Sequence, residues 1–153
     1  MLRIGLISDT HNLLRPEAAA WLAGCAHILH AGDICGPEVL DALARIAPVT
    51  AVRGNNDHGA WAQALPEHQT LSLGGVRIHM LHDLAGLAID PARDGVQVVV
   101  SGHSHQPLLQ TRGEVLCANP GSAGPRRFSL PISLGELWIE GGQVRAALHT
   151  LPH

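Results

Sequence analysis

Apolar residues come in short runs along the first two thirds of the chain: Leu2–Ile7, Ala26–Leu29, Pro48–Val52, Val76–Leu81 and Val96–Val100. The runs are continuous and rich in Val, Ile and Leu, a pattern that predicts strands covered on both faces. Between the first three lie segments of helical character. Pro16-Glu17-Ala18 opens one that runs toward Gly24, with proline suited to a first turn. Gly36-Pro37-Glu38 opens another, in which Val39, Leu40, Leu43 and Ile46 form an apolar stripe of helical spacing. A β-α-β-α-β start of this kind predicts a sheet with crossover helices.

After His105 the texture changes. Pro107–Gln110, Val115–Ala118, Ile132–Ile139 and Val144–Leu148 are turn-punctuated runs, and Gly141-Gly142 reads as a hairpin connection. These later runs are expected to pair antiparallel. The architecture expected is α/β (α+β): a four-layer α/β/β/α sandwich of two mixed β-sheets with helices outside.

The polar residues cluster at strand ends. The first run ends in Ser8-Asp9-Thr10-His11, the second in His30-Ala31-Gly32-Asp33, and the third in Arg53-Gly54-Asn55-Asn56-Asp57. The fourth ends in His82-Asp83 and the fifth in Gly102-His103-Ser104-His105. Taken singly, each has an ordinary explanation as a cap, a turn or a buried histidine. Five in succession converge if the carboxyl ends of the strands share one edge, where ligands of open α/β sheets bind. Residues i and i+2 of an extended chain point the same way, so His103 and His105 are expected to aim at one place. Two Asp, one Asn and four His offer oxygen and nitrogen donors without thiolate, a set that suits Mn, Fe, Co, Ni or Zn. Seven donors exceed the needs of one ion and match two that share a carboxylate. Paired ions are a known device for phosphoryl displacement.

Composition narrows the classes further. A chain of 153 residues with 46% hydrophobic content fits one domain spanning 1–153. Net charge is −3 and no like-charge run occurs, which argues against nucleic acid as a partner and gives a membrane surface nothing to hold. All ten basic residues are arginine. Cys25, Cys35 and Cys117 are odd in number and widely spaced, so a disulfide framework is not expected and small apolar filler is. The absence of a membrane span or leader predicts a cytoplasmic protein.

In order and spacing, D-x-H (Asp9, His11), G-D (Asp33), G-N-x-D (Asn55, Asp57), H (His82) and G-H-x-H (His103, His105) resemble the calcineurin-like metallophosphoesterase superfamily. The later Asn119-Pro120-Gly121-Ser122 with Arg126 resembles its small bacterial and archaeal phosphodiesterase branch. The resemblance implies one metal held by Asp9, His11 and His105, another by Asn55, His82 and His103, and Asp33 bridging both. It implies two divalent ions, with manganese foremost and Fe, Ni, Co or Zn as alternatives. The activity implied is hydrolysis of a small phosphodiester or phosphomonoester by in-line attack of a metal-bridging hydroxide.

Two positions depart from the family pattern. Asn56 stands where many members carry a histidine that serves the leaving group, which predicts a preference for good leaving groups and for diesters. Asp83 replaces a frequent glycine, and either orients His82 or is a solvated loop acid. Asp57 is expected to support the ligands, and Arg126, Arg127 and Arg53 are candidates to meet a phosphate. His30 and His58 are substitutes for the missing acid. Trp21, Trp61 and Trp138 are assigned to packing, and His27, His68, His79, His149 and His153 receive no role. The competing functions are a protein-binding scaffold on this fold, which degraded ligand motifs would favour, and a nuclease. A homo-oligomer is left open.

Overall fold

The computed structural model describes residues 1–152; His153 lies outside them. One sheet has the order β10-β9-β1-β2-β3 and the other the order β4-β5-β6-β8-β7. In the first, β1 (Leu2–Ile7), β2 (His27–His30) and β3 (Val49–Ala51) run parallel, while β9 (Ile132–Glu140) and β10 (Gln143–Leu151) are antiparallel additions beside β1. In the second, β5 (Val76–Leu81), β6 (Val98–Val100) and β8 (Val115–Asn119) run parallel. Antiparallel edges flank them, β4 (His68–Leu73) on one side and β7 (Leu108–Arg112) on the other.

Alternation along β1 sorts its side chains between two cores. Ile4 and Leu6 face the second sheet and pack with Leu29, Ile78, Met80, Val98 and Val100. Ile7 faces the other way with Ile28, onto Leu22 of α1 (Pro16–Leu22) and Leu43 of α2 (Pro37–Ala44). Both helices begin on the predicted prolines. Across the second sheet, Leu81, Val99 and Cys117 are covered by Leu84, Leu87 and Ile89. That outer layer is a loop with one 3-10 turn, Leu84–Gly86; among the described residues the α-helices lie against the first sheet, and the expected sandwich of two mixed sheets has few helices.

Two elements were not foreseen. α3 (Ala60–Gln63) is a single turn, too short for periodicity to mark. β4 carries the sequence HQTLSL with alternating exposure, the pattern of an edge strand and not of a covered run. The later runs pair antiparallel as expected, but β8 also joins β6 in parallel. Trp21 and Trp61 pack against the helical core as expected.

The five motif-bearing strands do not lie in one sheet. β1, β2 and β3 belong to the first and β5 and β6 to the second. Parallel strands in each bring their carboxyl ends to one edge of the sandwich, where the loops meet across the inter-sheet core.

Candidate metal centre

All seven predicted ligand side chains gather at this edge. Asp9 sits on the loop after β1 and is fully buried. Its Oδ2 accepts from the Ser8 hydroxyl (2.7 Å) and the His103 backbone N–H (3.0 Å). Its Oδ1 has no hydrogen-bond donor. That oxygen lies 3.4 Å from His105 Nε2, 3.8 Å from His82 Nε2 and 3.9 Å from His11 Nε2. Asp33 Oδ2 lies 3.3 Å from His82 Nε2 and 3.8 Å from His11 Nε2. His11 and His105 face each other through Nε2 atoms 3.3 Å apart. On the other side, His103 Nδ1 lies 3.3 Å from His82 Nε2 and 3.2 Å from Asn55 Oδ1. Two clusters result, Asp9–His11–His105 and Asp9–Asp33–His82, with Asn55 and His103 beside the second. Asp9 belongs to both, and Asp33 of the second also approaches His11 of the first.

The donor set fits a cation. His82 Nδ1 lies 2.7 Å from the Ala31 carbonyl, which can only accept, so Nδ1 carries the proton and Nε2 presents its lone pair. That lone pair faces carboxylate oxygens, and the buried Asp9 Oδ1 is an orphan acceptor facing imidazoles. Acceptors facing acceptors in a buried pocket demand either a shared positive charge or extra protons.

The electrostatics say the same. Burial alone would raise the Asp33 carboxyl, but His82 and the Asn56 donors hold it well below the usual carboxylate range. Asp9 is likewise raised by burial and brought below its ordinary value by His105, His82 and Ser8. Burial lowers His82, yet Asp33 and Asp9 raise it further than burial lowers it. His11 is depressed by burial, partly offset by Asp33 and Asp9, with His105 and Arg127 adding to the depression. The acids are held ionised, as ligands must be.

Backbone strain is concentrated here. Among the described residues, the non-glycine positions with positive φ are Asp9 (53°), His11 (47°), Asn12 (66°), Asp33 (56°), Cys35 (69°), His103 (71°), His105 (63°) and Phe128 (55°). Each costs about 1–3 kcal/mol, and all but Phe128 lie on the loops of the centre. This corrects the alternation argument for the two histidines. β6 ends at Val100, and Gly102–His105 form a tight turn closed by Ser104 N–H on the Gly102 carbonyl (2.8 Å). Left-handed conformations, not strand pleating, orient the rings, and they reach different ends of the cluster. Two glycines allow the loops to close: a Cβ on Gly54 would overlap Asp33, and one on Gly102 would overlap the Ser8 hydroxyl.

The supporting residues fall into place around this geometry. Asp57 is buried and ties two loops together, with Oδ2 accepting from Asp33 N (3.0 Å) and Gly54 N (2.8 Å) and Oδ1 from Cys35 N (2.8 Å). Asn56 turns toward Asp33. Its backbone N–H meets Oδ1 (2.8 Å) and its amide Nδ2 meets Oδ2 (3.0 Å). Asn119 Nδ2 bonds the Gly102 carbonyl and Ser104 Oγ, while Ser122 Oγ donates to the Asp9 carbonyl. That later motif therefore brackets the ligand loops.

Asp83 does not orient His82. Its Oδ2 lies 3.8 Å from His103 Nε2, and its Oδ1 caps the 3-10 turn. Arg126 donates from Nε to Leu130 O within its own loop, and Arg127 is the arginine whose charge reaches His11. Arg53 is engaged by Gln63 and Glu67. His58 is exposed.

His30, by contrast, is fully buried, and burial holds its pKa near 3. Nδ1 accepts from Gly32 N–H (3.1 Å), so Nε2–H donates to Thr10 Oγ1 (3.0 Å), which donates on to the Ile34 carbonyl (3.2 Å). A neutral imidazole so engaged pins the Asp9 and Asp33 loops together and has no proton to offer.

Sequence reasoning missed Cys35. It is half-buried, and its Sγ lies 3.6 Å from His11 Nδ1 and 3.7 Å from the Asn56 carbonyl. Burial and the neighbouring Asp57, Asp33 and Asp9 push its pKa to about 11, so it is a thiol. The sulfur can accept from His11 Nδ1–H while S–H donates to Asn56 O. A lone cysteine two residues after a ligand Asp carries no motif by which to find it.

Residues 2–141 match the model of the calcineurin-like phosphoesterase superfamily domain. The chain is 34% identical to a protein of Methanocaldococcus jannaschii named "Probable metallophosphoesterase MJ0623", over 90% of this chain and 76% of that one. It is 28% identical to phosphodiesterase YfcE of Escherichia coli K12, over 90% and 88%. In fold it is similar to a novel archaeal phosphodiesterase (TM-score 0.80, 21% identity, 97% of this chain and 100% of that one). It is similarly close to Vps29 of Chaetomium thermophilum (TM-score 0.79, 21%, 99% and 97%). With its ligand-bearing loops inside the matched span, the chain belongs to the calcineurin-like phosphoesterase superfamily.

Proposed function

We propose that the protein is a dinuclear metal-dependent hydrolase of small phosphodiesters. The observation that carries this reading is the buried, donor-less Asp9 Oδ1 set among three imidazole nitrogens, with Asp33 Oδ2 facing two of the same rings. Asp9, His11 and His105 would hold one cation and Asn55, His82 and His103 the other, with Asp33 shared. Manganese is the first choice and Fe, Co, Ni or Zn are suited by the same oxygen and nitrogen donors. When bound, paired cations polarise the phosphoryl group and lower the pKa of a water.

The chain's own residues set the rest. Ala31 O fixes the His82 tautomer, and Ser8 with the His103 N–H fixes Asp9. Asn56 holds both oxygens of Asp33 and has no acidic proton for a departing alkoxide. His30 is engaged and neutral, so it does not replace that acid. Leaving groups that depart as stable anions are therefore favoured. A small substrate suits a surface of net charge −3 better than a nucleic-acid polymer.

The test is hydrolysis of bis-p-nitrophenyl phosphate by metal-stripped protein before and after Mn²⁺ addition, beside p-nitrophenyl phosphate and the Asp33→Asn variant. Metal-dependent turnover that favours the diester and is lost in the variant supports the proposal. A fully metal-loaded protein without turnover refutes it and favours a scaffold on this fold.

A further inference from the structure

Two cavities flank His103, with His103 and Asp83 in the wall of both, and they differ in character. One, of about 310 Å³, has the charged side chains Arg53 and Glu67 in its wall, beside His68 and Leu81. The other, of about 260 Å³, lies toward β7 and β8 and is walled by Leu84, Leu108, Cys117 and Ala118. Leu108 is 48% exposed on an edge strand, a large apolar side chain facing open space next to a ligand histidine. Uncharged polar groups complete this wall. The Asn119 amide is already satisfied by Gly102 O, Ser104 Oγ and Gly121 N–H. Among the described residues, Asp83 is the only carboxylate in the lining, and none of the lining residues is an arginine.

We propose, building on the phosphoesterase reading above, that this apolar cavity receives one organic arm of the ester. The substrate class is then phosphoesters of a neutral, ring-bearing alcohol. Three features point there. The cavity opens from His103, so a phosphoryl group at the centre places one substituent at its mouth. Its volume is below that of a pocket for a whole drug-sized ligand and matches a single ring system. Its lining offers apolar contact without a cation, so an arm bearing phosphate or carboxylate meets Asp83 unpaired and is disfavoured. In the cavity on the other side of His103 a neutral ring would have to lie against Arg53 and Glu67 and desolvate them.

The experiment measures calorimetric Kd values of Mn²⁺-loaded protein for methyl phosphate, phenyl phosphate and 4-carboxyphenyl phosphate, and needs no turnover. Burying a ring predicts that phenyl phosphate binds about 10-fold tighter than methyl phosphate. In Leu108→Ser that ratio falls to about 2 while the methyl phosphate Kd is unchanged, since a methyl ester has no ring to bury against Leu108. In the wild type 4-carboxyphenyl phosphate binds more weakly than phenyl phosphate, and Asp83→Asn narrows the gap. A methyl-to-phenyl ratio near one, or one that Leu108→Ser leaves intact, overturns the cavity assignment alone. Failure of methyl phosphate to bind the loaded protein overturns the phosphoesterase reading and the assignment with it.

Discussion

Replacing His30 by glutamine should remove an acid-sensitive component of the fold's stability. His30 has no exposed surface, and both ring nitrogens are engaged in the neutral form. Burial, with His82 and His11 adding to it and the Asp9 and Asp33 charges only partly opposing, lowers its pKa from 6.5 to about 3. The sign follows directly. Below pH 6.5 the unfolded imidazole takes a proton that the folded one refuses, so stability falls as pH falls, until the folded group titrates near 3. At pH 5 the unfolded group is ~1.5 pH units into its titration, and ~1.36 kcal/mol for each gives a loss of ~2 kcal/mol relative to pH 8. Glutamine cannot titrate. Urea unfolding of chelator-treated wild type and His30→Gln at pH 8 and pH 5 isolates the difference, because His82, His11 and the carboxylates are common to both. The wild type should lose ~2 kcal/mol more than the variant on acidification. Equal losses would refute a buried neutral imidazole at this position.

Gly54→Ala should push Asp33 out of place, because the added methyl overlaps the Asp33 backbone as well as its carboxylate. The expected result is a stability loss of about 1–3 kcal/mol by thermal unfolding and weakened cation binding by titration. Cys35→Ala should weaken Mn²⁺ binding about 10–100-fold by leaving His11 Nδ1–H without its acceptor, and Cys35→Ser should restore much of it. Wild-type affinity in both variants would show that the sulfur does not orient the ring. Asn56→His should raise turnover of alkyl diesters relative to aryl diesters, by up to ~10²-fold if the imidazole reaches the leaving oxygen. An unchanged ratio in steady-state kinetics would place the histidine out of reach.

Much of this centre is legible in sequence because each donor follows a strand, and strand ends are marked by where an apolar run stops. Asp9, Asp33, Asn55, His82, His103 and His105 are all found that way. The prolines that open α1 and α2 are equally plain, since proline fits a first turn. What pattern does not reveal is conformation within the loops. Left-handed φ at His103 and His105 is invisible in a string of letters, and strand alternation brings both rings to the right edge without describing how they are aimed. Cys35 was read as filler because a thiol's role depends on which ring stands 3.6 Å away. Asp83 lies nearest His103, and the partner of His82 Nδ1 is the Ala31 carbonyl, contacts between loops that spacing along the chain does not reveal. β4 was missed because an edge strand with polar alternate positions carries little apolar signal.

A centre for two cations built on shared carboxylates, as proposed above, has a stoichiometry that can be counted. Metal-stripped protein would be titrated with Mn²⁺ by calorimetry, with bound metal counted by elemental analysis, for wild type, His105→Ala and Asp33→Asn. Two ions per wild-type chain are expected, with one strongly held ion in His105→Ala and weakened binding of both in Asp33→Asn. A single ion in the wild type, or two ions at undiminished affinity in Asp33→Asn, would contradict it.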